Sequence, residues 1–156
     1  MNDLHLQRIL ITNDSGGCSV VVPAPNTGLT LEQLIVKVVP HGTTYSVVEV
    51  GAVPSDRTYR NAWRHDAANL SVGVDMPAAR EIHKNFMRAA RTPLLTDLDV
   101  QYAKADEAGN PGLKAQVAAK KQQLRDVTAD AGIADAQTPA DLKAVWPTIL
   151  GPNPLA

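Results

Sequence analysis

Few residues in this 156-residue chain have the types and spacing that chemistry demands. Asp14 stands alone in the run Asn13-Asp14-Ser15-Gly16-Gly17, which reads as a polar turn. The histidines are His5, His41, His65 and His83. None pairs with another at i, i+4, and none stands beside a Cys/Asp/Glu cluster with metal spacing, so each reads as a surface or loop residue and no metal ligand is expected. Cys18, the single cysteine, excludes an internal disulfide and a four-cysteine zinc site. Its place in an apolar run predicts an inert thiol. Ser15-Gly16-Gly17 lacks the nucleophile-elbow pattern, and no glycine-rich loop with a following lysine exists. The expectation is a protein with no catalytic residues and no cofactor.

Two other groups suit binding. Arg57, Tyr59, Arg60 and Trp63, with Asp56 beside them, combine charge and aromatic area outside any periodic pattern. They could fasten parts of the chain together or be displayed to a partner. Arg125, Asp126 and Trp146 form the second group. An arginine offers a planar fork for carboxylates or carbonyls. A tryptophan offers a large apolar ring with one donor, a type enriched at interface hot spots. The alternative is that Arg125 and Asp126 pair locally and Trp146 closes an aliphatic core.

These residues need elements to hold them. Arg8-Ile9-Leu10-Ile11-Thr12 and Cys18-Ser19-Val20-Val21-Val22 read as strands joined through the polar turn, a hairpin with a loop of about five residues. Thr30 and Gln33 match a capping box and predict a short helix ending before Pro40. Tyr45 to Val50 reads as a third strand. A ββαβ sheet unit over residues 1–53 is therefore expected, followed by a linker at 54–75 and a helical region at 76–147. In that region Asp75 suits an N-cap, and Ile82, Phe86 and Ala90 share one face. Pro93 restarts or kinks the helix. Leu95, Leu98, Tyr102 and Ala105 repeat at spacings of three and four, and residues 108–112 break the helix. Leu113, Val117, Leu124 and Val127 mark another helix, and Thr138 with Asp141 caps a last short one. Residues 148–156 read as a flexible tail. The fold class is α+β: a small sheet unit, then a helical hairpin or small bundle.

Charge sets limits on partners. Basic residues concentrate from Arg80 to Arg91 and acidic ones from Asp97 to Glu107, which predicts neighbouring helices that attract at their rims. The formal net charge of -1 argues against a nucleic-acid partner. No apolar run approaches the roughly 20 residues of a membrane span. Residues 1–7 lack a signal pattern, so localisation in a cytoplasm, or in a particle assembled there, is expected. The narrow, alanine-rich stripes leave pairing into a homo-oligomer open.

Two resemblances bear on function. Ile9 to Gly16 resembles the start of the stationary-phase survival nucleotidases, where a strand delivers two adjacent aspartates to a metal. Ser15 stands where the second aspartate belongs, so metal-dependent phosphatase activity is only a remote alternative. Lys121-Gln122-Gln123-Leu124-Arg125-Asp126-Val127-Thr128, followed after a spacer by Val145-Trp146-Pro147, resembles the end of phage tail assembly chaperones and tail-fibre assembly proteins. Arg88 to Lys104, with Leu94-Leu95-Thr96-Asp97, resembles that family's arginine-rich helix and its leucine-leucine-aspartate segment. Lys120-Lys121 departs from the family's Tyr-Arg. The resemblance covers about the last 75 residues and implies a non-enzymatic bacteriophage tail protein. Its expected partner is a tail or tail-fibre protein, met in the host bacterial cytoplasm. The alternative is a structural virion component of the tail tip, a connector or a fibre-attached subunit.

Overall fold

A computed structural model describes residues 3–156 and has the expected α+β fold. The chain divides into two compact units, residues 1–75 and 76–156.

The first unit is built on a three-stranded antiparallel sheet of β1 (Gln7–Thr12), β2 (Cys18–Val21) and β3 (Tyr45–Glu49), in the order β2-β1-β3. The β1 run is consistently apolar because it is central: Ile9 and Leu10 are fully buried. Strand alternation sends Ile9 and Ile11 to one face. There they pack with Leu34 of α1 (Leu31–Val38) and with Val21, Leu31 and Ile35 around it. The capping box at the start of α1 is complete: Thr30 Oγ1 accepts from the Gln33 backbone, and Gln33 Oε1 accepts from the Thr30 backbone.

The turn at residues 13–17 has the expected length. Asn13 Oδ1 accepts from the Gly17 N–H and from Ser15 Oγ, both at 2.7 Å, and Gly16 takes φ +75°, where a side chain would be strained. The Asn13 N–H donates to the Gly17 carbonyl at 3.0 Å, which fixes the phase of the ladder. Bonded pairs then recur at every second residue, Ile11 with Ser19 and Ile9 with Val21. The N–H and C=O groups of Cys18, Val20 and Val22 therefore point away from β1, along the outer edge of the sheet.

Residues 54–75 are not the expected linker. They hold a second hairpin, β4 (Trp63–Asp66) and β5 (Ser71–Val74), paired from Trp63 with Val74 to Asp66 with Ser71. Hydrophobic alternation does not mark Trp63-Arg64-His65-Asp66, because polar bonds place it. Arg64 pairs with Asp75 at 2.8 Å. Asp66 accepts from the backbone and side-chain nitrogens of Asn69, which lowers its pKa.

The second unit is a helical hairpin with short helices at its end. The expected break or kink at Pro93 resolves as continuity: α2 (Met76–Glu107) runs through it for 32 residues. At its end Gly109 takes φ +59°, and Asn110 Oδ1 accepts from the Leu113 N–H to start α3 (Pro111–Asp126). The buried stripe of the first half of α2 is Ala79, His83 and Met87, one residue on from Ile82, Phe86 and Ala90, which are half-buried. Val117, Leu124 and Val127 are buried as expected, but Leu113 is exposed.

The basic and acidic stretches lie on one helix, not two. The acidic half meets α3, where Lys121 pairs with Asp99 at 2.5 Å and Lys114 pairs with Asp106. Both lysines also approach the Tyr102 ring, each 5.1 Å from its centre. Then follow α4 (Ala131–Asp135) and α5 (Pro139–Ala144), the latter with its Thr138/Asp141 capping box. The expected flexible tail is tied back: Leu150 is buried, and Asn153 Nδ2 donates to the Lys143 carbonyl at 2.8 Å.

Candidate functional site

The two groups of candidate residues fall one in each unit, and their side chains have different fates. In the first unit Tyr59 and Trp63 are only 2% and 5% exposed, so neither is a displayed aromatic. Burial, helped by the Asp56 charge, pushes the Tyr59 phenol up to about 12. Arg57 and Arg60, in contrast, are exposed. Neither guanidinium has a hydrogen bond or ion pair among the described residues. A 3-10 turn at Arg60–Ala62 leads into β4 and sets Arg60 and Arg64 on the same side as Arg57.

These three arginines line a groove of about 450 Å³, whose other wall is β2 and the turn before it: Asn13, Ser15, Cys18, Ser19, Val20 and Val22. Asn61 adds an amide. Cys18 thus stands on this groove, half-buried, where burial raises its pKa and keeps the thiol protonated. Asp14 does not line the groove. Among the described residues no group of three His, Cys, Asp or Glu is placed to hold a metal ion.

Sequence reasoning missed His65. It is no loose surface residue: its two ring nitrogens lie 2.9 Å from the Thr12 and Ser46 hydroxyls, and so tie β4 to β1 and β3. Ser46 is buried, which makes its bond to His65 structurally important. His83, expected at the surface, is fully buried instead. Its Nε2 lies 2.7 Å from the Val145 carbonyl. A carbonyl only accepts, so this nitrogen carries the proton. Desolvation holds the His83 pKa below its ordinary value.

In the second unit Arg125 and Asp126 are exposed on the last turn of α3. Asp126 accepts from Gln122 Nε2 at 2.8 Å. The Arg125 guanidinium has no partner among the described residues, while its carbonyl accepts from Arg91 at 2.7 Å. Beside this turn lies a shallow cleft of about 210 Å³, walled by Leu94, Leu98, Leu124 and Ile149 and rimmed by Asp97 and Lys120. A second cleft borders Asp126 itself. Trp146 serves the unit internally. It is half-buried, its Nε1 donates to the Gly151 carbonyl at 3.2 Å, and its ring stands edge-on to His83 at 6.1 Å. No signal in the sequence linked it to His83, because 63 positions separate them.

Comparison of the chain with protein-family models, with curated proteins and with solved structures finds no match.

Proposed function

We propose that this chain is a non-enzymatic bacteriophage tail protein, an assembly chaperone that holds a tail or tail-fibre protein through the end of its helical hairpin. One observation carries the reading. The stretch that resembles the phage family, residues 121–128, holds an exposed Arg125 next in sequence to Leu124, which lines an apolar cleft with Leu94, Leu98 and Ile149. Exposed arginines and apolar depressions are the usual components of protein-binding hot spots. The arginine gives direction through its fork and the leucines supply area removed from water.

The test is co-expression with the tail and tail-fibre proteins encoded beside this chain, followed by size-exclusion chromatography of the complex. Co-elution with one of them, lost in Arg125→Ala, supports the proposal. Failure of every such protein to co-elute overturns it. Mass spectrometry of purified virions distinguishes a chaperone, which leaves, from a tail-tip, connector or fibre-attached subunit, which stays. Hydrolysis of a phosphate ester with added magnesium or manganese, abolished by Asp14→Asn, would instead revive the phosphatase alternative.

A further inference from the structure

We propose that the sheet unit is a second binding site, which takes an extended, acidic segment of another protein as an added strand on the free edge of β2. Four observations converge. First, β2 is an edge strand, and its ladder phase turns the N–H and C=O groups of Cys18, Val20 and Val22 outward. These groups have no backbone partner among the described residues, and an added strand would satisfy them.

Second, that edge is one wall of the 450 Å³ groove, within the range of about 300–1,000 Å³ typical of ligand clefts. A chain lying in the groove runs alongside β2. Third, the opposite wall carries Arg57, Arg60 and Arg64. Among the described residues only Arg64 is neutralised, by Asp75 at 2.8 Å, which leaves two forks for carboxylates. Fourth, both aromatics of this region are spent on burial, Tyr59 at 2% exposure and Trp63 at 5%. Among the residues lining the groove no exposed aromatic is left on which bases could stack, and the chain carries a net charge of -1. The groove is therefore suited to a peptide and not to a single-stranded nucleic acid.

The geometry also sets the pattern of the guest. Side chains of an added strand alternate between faces. Every second residue should be Asp or Glu, directed at Arg57 and Arg60 on the face that carries Val20 and the 54%-exposed Val22, with β-branched residues between them on the opposite face, beside Ser19 and Val21. Affinity divides between backbone bonds to β2 and charge-assisted bonds to the arginines. The site is independent of the helical surface, so Arg125→Ala should not affect it.

The test uses the full chain and a fluorescein-labelled peptide of alternating Val and Glu, read by fluorescence anisotropy. Saturable binding is expected, weakened about tenfold by Arg57→Ala or by Arg60→Ala, as for an interface arginine. It should also weaken as salt is raised. The same peptide N-methylated at alternate residues cannot form the strand bonds and should not bind; this control leaves the protein unaltered. Amide resonances of Cys18, Val20 and Val22 should shift on titration. Three results would overturn the proposal. They are absence of binding, equal binding of the N-methylated peptide, and equal or tighter binding of an oligothymidylate.

Discussion

The two units solve the problem of a small core in different ways. The helical unit is built mainly on helical spacing: one long helix turns back through Gly109, and the buried stripe of Val117 and Leu124 follows that spacing, with the buried His83 bonded to Val145, 62 positions away. The sheet unit uses distant residues and polar bonds. His65 reaches Thr12, 53 positions away, and Ser46, 19 positions away. The surfaces differ as well. The cleft beside α3 is lined mainly by leucines and Ile149 with no arginine, whereas the groove beside β2 is polar and lined by three.

The largest expected effect tests the cores. Leu142→Ala in the helical unit and Leu10→Ala in the sheet unit both truncate fully buried leucines. Each should cost about 2–5 kcal/mol in urea unfolding. A much smaller loss in the sheet unit would show that its polar bonds, not its core, dominate. His65→Ala measures those bonds directly. It strands the buried Ser46 hydroxyl and should cost about 1–3 kcal/mol. A double mutant with Ser46→Ala should cost less than the sum of the two single changes.

Arg125→Ala separates binding from folding. An exposed helix arginine should change stability by under about 0.5 kcal/mol. Capture of the tail protein should weaken by about 1–3 kcal/mol, measured by calorimetry. The pH dependence of the helical unit is smaller and rests on His83. Its folded pKa lies below the ordinary 6.5, so the unfolded chain takes up the proton first. Stability is complete above pH 6.5 and declines as pH falls from there toward the folded pKa. Thermal melts across pH 5 to 8 should show this slope, and His83→Gln should flatten it. The smallest effect concerns Cys18. With its pKa raised by burial, the thiol should alkylate more slowly than a free cysteine at neutral pH and gain speed above pH 9. Fast alkylation at neutral pH would mean that the groove is more open to water than its geometry shows.

What was legible in the sequence was local. The residue 13–17 turn, the capping boxes at Thr30 and Thr138, and the Gly109 break are all written within a few residues, and the structure has them where they were expected. The hairpin at residues 63–74 was not, because its strands hold few apolar side chains and depend on His65, Arg64 and Asp75. The stripe on α2 was misplaced by one residue because His83, a polar type, occupies its centre. Of the site residues, spacing alone could not divide displayed arginines from buried aromatics. Arg57 and Arg60 proved exposed, while Tyr59 and Trp63 in the same segment are core.

The charge order of α2 has a bearing on how this protein is made. α2 carries its basic residues, Arg80 to Arg91, in its N-terminal half and its acidic ones, Asp97 to Glu107, in its C-terminal half, so Asp106 and Glu107 stand at the end where the helix dipole favours cations. Its electrostatic relief comes from later in the chain. Lys114 and Lys121 neutralise Asp106 and Asp99, and Arg91 finds the last carbonyls of α3 at Leu124 and Arg125. On a translating ribosome, residues 76–107 therefore emerge ahead of the lysines that pair with Asp99 and Asp106. The ion pairs between α2 and α3 form only once α3 has cleared the exit tunnel, and with their carboxylates exposed they add little to the stability of α2 itself.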